Sequence, residues 1–209
     1  MRILIICGLT ALQVAAQENS WKTEIDNSLV RVARRLVAPH ETVSAAEMPP
    51  ALLVFLTDYS VRVTGAARQE LRGKPGQFFW HSGGRIGLEN LSEHRVQVAQ
   101  IVPKFGPPVP PFTELEPSSA LNRRRVEFEN ELIRVAHPDV RVGLRVAERR
   151  DPTVIIHLST AHIRFTRGAR VQEFQAKSGD IRFDAGGAFV FENLGQRHEV
   201  LRVELKAGN

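Results

Sequence analysis

Cysteine is nearly missing from this chain: Cys7 is the only one among 209 residues. It lies inside the apolar opening segment, so the remainder has no thiol nucleophile, no thiolate metal ligand and no disulfide, and its stability must come from packing. Long helical stripes are missing too, since no apolar pattern of helical period exceeds a few turns. Phosphate loops are absent, because Gly83-Gly84 and Gly186-Gly187 stand between strand-like runs and not before a helix. No serine has the turn context of a nucleophile elbow. Positive charge is present but not gathered: 28 Lys and Arg against 23 Asp and Glu give a net charge of +5, and only Arg123-Arg124-Arg125 forms a cluster. A nucleic-acid surface concentrates basic residues on one face among aromatics, so this scatter argues against a nucleic-acid partner and serves solubility.

What is present is an ordinary globular composition, 43% hydrophobic and 24% charged, enough for one large domain or two small ones. The opening "MRILIICGLTALQVAAQENSW" has one basic residue, an apolar run, and Val14-Ala15-Ala16 before a polar stretch. This is the pattern of a signal peptide over 1–16, too short to anchor the chain in a bilayer. It implies a secreted or periplasmic protein with no membrane anchor after cleavage.

The chain repeats. "IDNSLVRVA" from Ile25 returns as "FENELIRVA" from Phe128, and "PPALLVFLTDYSVRVT" from Pro49 returns as "DPTVIIHLSTAHIRFT" from Asp151. "GQFFWHSGGRIGLENL" from Gly76 returns as "GDIRFDAGGAFVFENL" from Gly179. The register holds through all three blocks, which marks two tandem copies of one fold. Between them "FGPPVPPFTELEPSS" holds five prolines and reads as a stiff extended linker. The expected organisation is a leader at 1–16, a first domain at 17–104, a linker at 105–125 and a second domain at 126–209.

Within each copy, short runs such as "SVRVT", "HRVQVAQIV" and "HIRFT" alternate apolar with polar residues, as a strand with one wet face does. "ALLVFL" and "TVIIHL" are continuously apolar, suited to strands covered on both faces. Many short strands with turns at close spacing predict an all-β chain of two tandem barrels or sandwiches.

The blocks "VRVARRLVAPHE", "PPALLVFLTDYSVRVT", "GKPGQFFWHSGGRIGLENLS" and "FENLGQRHEVLRVELK" resemble the cupin superfamily, and the pair of copies resembles a bicupin. The resemblance implies two double-stranded β-helix barrels of jelly-roll type. It also implies where metal-binding members carry ligands: a His-x-His pair before the apolar strand, and a His four residues before the Asn of the second motif. Residues two apart on a strand share a face, so such a pair enters the barrel together. Here the paired positions fall on Ala46 and Met48 in the first copy and on Glu148 and Arg150 in the second. Ile86 and Phe189 stand four residues before Asn90 and Asn193, and the family's carboxylate position falls near Leu52 and Val154. Ala, Met, Ile and Phe offer nothing to a hard or borderline metal. No metal and no cofactor is expected.

Glu148 and Arg150 remain candidates for ligand binding, since a guanidinium can hold a carboxylate or phosphate through paired hydrogen bonds; the ordinary alternative is a strand-end ion pair with little effect. His81, after "QFFW", is the best single candidate for a polar group at a barrel mouth. Strict alternation turns His157 opposite to Ile156, away from the interior and toward the contact between domains. His94 and His198 lie in matching turns and read as solvent-facing, and His40 reads as a loop residue with a local role. Phe78-Phe79-Trp80 reads as core or as packing against the partner barrel. Leu53 and Phe55 are placed on the outward face, in need of cover.

The expected function is a binding or structural module and not an enzyme, with a small-molecule ligand and a second copy of the chain as conceivable partners. One rival is a metal-dependent oxygenase or isomerase with a ligand set drawn from Glu148, His81 and His40. The other is a small-anion or sugar receptor centred on Arg150.

Overall fold

A computed structural model describes residues 20–65, 68–104 and 125–206. The leader expected at 1–16 lies outside the described residues, as does the Pro-rich segment except Arg125, which opens a strand. Every regular element among the described residues is a strand.

The first copy forms two sheets. One runs, in spatial order, β1 (Lys22–Asp26), β2 (Val30–Val37), β9 (Val96–Pro103), β4 (Ala51–Phe55) and β7 (Phe78–His81). The other runs β3 (Thr42–Met48), β8 (Gly84–Asn90), β5 (Tyr59–Gly65) and β6 (Gln69–Gly73). The second copy repeats this order: β10 (Arg125–Glu129), β11 (Ile133–His137), β19 (His198–Leu205), β14 (Thr153–His157) and β17 (Ile181–Asp184), with β12 (Asp139–Val140) added beside β19. Its second sheet is β13 (Arg145–Arg150), β18 (Gly187–Asn193), β15 (Ala161–Arg167) and β16 (Arg170–Ala176). Even the bulge repeats, between Thr23 and Ile25 and again between Val126 and Phe128. The ladder does not run unbroken around either copy, so each is a jelly-roll sandwich of two sheets.

Repeated motifs have repeated structural duties. Buried Asn90 donates to the carbonyls of Ala38 and His94 and accepts from Ser92, and Asn193 does the same with Arg141, Gln196 and Gly195. Each asparagine therefore clamps the loop that crosses the end of its sandwich. Gly83, Gly84, Gly186 and Gly187 all take positive φ, which only glycine adopts without strain, and so turn the chain between sheets.

Three clusters make the core. The largest lies between the copies: Val32, Leu52, Val54 and Ile101 from the first meet Ile133, Val154, Ile156 and Leu201 from the second. Phe78 and Trp80 reach across to Phe128, with ring centroids 6.2 and 5.7 Å away, and Arg34 donates to the Gly179 carbonyl at 2.7 Å. Two further clusters fill the sandwich interiors. The first holds Leu53, Phe55, Tyr59, Val61 and Val98 with Phe79; the second holds Val140, Ile163, Phe189, Phe191 and Val200.

This corrects the facing expected for the apolar strands. Leu53 and Phe55 point into the first sandwich, and it is Leu52 and Val54 that need cover and receive it from the second copy. Both faces of these strands are apolar, so alternation identifies the two sets but not which is inside. Phe78-Phe79-Trp80 divides the same way, Phe79 inward and its neighbours into the contact.

Truncating the contact should be costly, since both walls are rigid sheets that cannot collapse onto a void. Leu52→Ala and Ile156→Ala are each expected to lose about 2–5 kcal/mol in chemical denaturation, with both copies unfolding together. Separate early melting of one half would contradict a shared core.

Candidate functional site

The positions expected for metal ligands do come together. Ala46 pairs with Ile86 and Met48 with Gly84 across β3 and β8; Glu148 pairs with Phe189 and Arg150 with Gly187 across β13 and β18. Ile86 and Phe189 are buried in the two interiors. The Glu148 and Arg150 side chains lie outside the described residues. Among the described residues no three His, Cys, Asp or Glu side chains converge as a metal site.

The rival ligand set is not assembled. His81, half-buried at the end of β7, contacts the Gly84 carbonyl at the start of β8, whereas His40 sits beside Glu93 just past the end of β8, at 3.1 Å. Glu148 belongs to the other sandwich. Of the remaining histidines, His94 is exposed and bonds the Asp58 carbonyl, while His137 and His162 pair with Glu127 and Glu173.

The chemistry of the interior lies elsewhere. His157 and His198 are each only 2% exposed, and His157 Nδ1 stands 2.9 Å from His198 Nε2. Both face into the second sandwich, which corrects two expectations: His157 does not face the other domain, and His198 is not in solvent. Ile156 takes the contact face, so its neighbour His157 must take the interior. His198 is the first residue of β19, opposite Val140, and not a turn residue.

Equivalent hydrogen bonds define the matched positions. Phe55 and His157 hold the same place in the ladder, their backbone N–H groups donating to the carbonyls of Gln77 and Asp180; those of Leu56 and Leu158 likewise donate to Gln97 and Glu199. His157 thus replaces Phe55, and His198 replaces Val96. Leu53 pairs with Phe79 and Gln100 where Ile155 pairs with Arg182 and Arg202, so two more positions become cationic, Arg202 buried and Arg182 exposed at the rim. In the first sandwich Phe55 stacks on Tyr59, centroids 3.7 Å apart, and fills the space. In the second, Ala161 stands where Tyr59 does.

The second sandwich holds a cavity of about 40 Å³, walled by Ile155, Ile163, Phe165, Phe174 and Phe191 and by the two histidines, Arg182 and Arg202. The Arg182 guanidinium lies 3.5 Å over the Phe174 ring. On the outer side His198 also lines an open groove of about 260 Å³, with Pro75, His137, Pro138, Leu158 and Arg197. His198 is therefore the partition between groove and cavity.

A neutral imidazole has one donor nitrogen and one acceptor. One ring of the pair donates to the other, so whichever tautomer holds, the two outer nitrogens are one donor and one acceptor. His157 Nε2 and His198 Nδ1 are those atoms, both buried and both without a hydrogen-bond partner among the described residues. Leaving such groups unsatisfied costs about 1–3 kcal/mol each. Burial pushes both imidazoles down to about 4; Arg182 adds to this at His157 against the opposing charge of Asp180, and His157 and Arg202 add to it at His198.

These histidines are charged below pH 6.5 in the unfolded chain but resist charging in the folded one until about pH 4. The unfolded state therefore binds more protons in that window, and stability falls as pH drops from 6.5 to 4. Replacing the pair by its first-copy counterparts, His157→Phe with His198→Val, should flatten that dependence and raise stability at neutral pH by about 1–3 kcal/mol. Denaturation curves across the window measure both.

No protein-family model matches the sequence, and no curated protein matches it significantly. Solved structures do match. Salicylate 1,2-dioxygenase from Pseudaminobacter salicylatoxidans superposes with a TM-score of 0.64 at 11% identity, over 93% of this chain and 81% of that one. A cupin 2 conserved barrel domain protein from Leptotrichia buccalis gives 0.61 at 10% identity over 90% and 88%, and AerE from Microcystis aeruginosa 0.60 at 9% over 88% and 96%. At this identity the likeness concerns fold, and the fold is that of the cupins.

Proposed function

We propose that the chain is a non-catalytic binding module of cupin fold. The first sandwich serves as a filled support, and the interior of the second holds a small molecule. One observation carries this: at matched positions of two copies of the same scaffold, Phe55, Val96, Phe79 and Gln100 of the first stand against His157, His198, Arg182 and Arg202 of the second, all four of which line a cavity. A chain selected only for packing has no reason to bury two imidazoles with unsatisfied nitrogens. The leader at 1–16 supports a site of action outside the cytoplasm.

One fold neighbour is a dioxygenase by name, which supports an oxygenase reading of this chain only through the shared fold. Against it stand Ala46, Met48, Ile86 and Phe189 at the ligand positions and the dispersal of His40, His81 and Glu148. The usual metal does not fit the residues present, and no chemical step is derived through one.

Elemental analysis of untagged protein separates the two readings. Iron, manganese, nickel and zinc are expected well below one per chain. One equivalent of any of them, retained through dialysis against a weak chelator and lost in Glu148→Ala, would overturn the binding module in favour of a metal enzyme.

A further inference from the structure

We propose that the second sandwich binds a short carboxylate, of formate or acetate size, held by the outer nitrogen of His157 and the guanidinium of Arg182. This deepens the binding-module reading and rests on it.

Size comes first. A cavity of about 40 Å³ is far smaller than the roughly 150 Å³ that holds a benzene ring. That fits a carboxylate with at most one carbon attached and excludes a ring or a sugar. Charge comes next. Arg202 already has a partner of its own, but Arg182 adds a guanidinium and no carboxylate lines the cavity among the described residues, so an anion is favoured over a cation or a neutral polar guest. The walls decide what kind of anion. Phe165, Phe191 and Ile163 cannot hydrogen-bond, and a dianion such as sulfate or hydrogen phosphate would leave most of its oxygens unsatisfied there. A monoanion with two oxygens at one end and a methyl or hydrogen at the other matches a cationic end and an apolar wall.

The imidazole pair supplies the remaining piece. His157 lines the cavity, and His198, with Val200, lines both the cavity and the groove. A carboxylate oxygen requires a donor, so it selects the tautomer in which His157 carries its proton on Nε2 and His157 Nδ1 accepts from His198 Nε2. His198 Nδ1 is then left as the acceptor, and a ligand drawn against the buried His157 Nε2 satisfies a donor that has no hydrogen-bond partner among the described residues. Arg182, stacked by its face on Phe174, keeps its N–H edge for the second carboxylate oxygen.

The test is imidazole ¹⁵N NMR of the full mature chain at pH 7.5, titrated with sodium acetate at constant ionic strength, with sodium chloride as control. Acetate and formate should saturably move the His157 and His198 signals, fix His157 as the Nε2–H tautomer and raise Tm. Chloride and sulfate should do neither. The response should vanish in His157→Phe and weaken at least tenfold in Arg182→Met; His198→Val, which copies Val96, replaces the first variant should it not fold. Failure of acetate and formate to move these signals at tens of millimolar overturns the proposal. Should benzoate or a sugar move them instead, the short-carboxylate assignment falls while the binding module stands. Movement only on adding a divalent transition metal overturns both.

Discussion

The fold depends on one surface, the face along which the two copies press their sheets together. β4 and β9 of the first copy each carry one apolar set into that contact and another into their own sandwich, while β2, β11, β14 and β19 line it with Val30 and Val32, Ile133 and Val135, Val154 and Ile156, and Leu201 and Val203. Neither copy could expose its half of Val32, Leu52, Ile101, Ile156 and Leu201 without presenting a broad apolar sheet to water. The contact thereby fixes which residues look inward, and the inward set includes His157.

With stability anchored in the shared face, the two interiors are free to differ. The first is filled by hydrocarbon and a stacked Phe55–Tyr59 pair. The second tolerates buried His157, His198, Arg202 and Glu204, which a small isolated sandwich could ill accommodate, because breaking its own apolar packing does not remove the contact behind it. Duplication of this kind lets one copy keep the architecture while the other accumulates polar chemistry.

Much of the architecture was legible from residues alone. The three repeated blocks and the short alternating runs pointed to an all-β duplicated jelly roll, and the Asn of "ENL" has the same loop-clamping duty in both copies. The candidate site was less legible. Glu148 and Arg150 stand out in the sequence only through the positions that the cupin resemblance gives to metal ligands, and the buried imidazole pair lies on other strands, β14 and β19. A signal was present: laying "DPTVIIHLSTA" on "PPALLVFLTDY" sets His157 on Phe55 and Ala161 on Tyr59. His198 was harder to place, because the turn before it is one residue shorter than its counterpart and shifts it from a turn position onto that of Val96.

The sequence by itself determined the strands, their duplication and the two residue sets on each apolar strand, since these follow from local periodicity and from self-comparison. It did not determine which set faces the interior. That assignment depends on where a second sheet lies, and for a strand apolar on both faces only the tertiary packing distinguishes inside from outside. The same holds for the histidine pair. Residues 157 and 198 are 41 positions apart, and only the pairing of β14 with β19 brings their ring nitrogens within a hydrogen bond of one another.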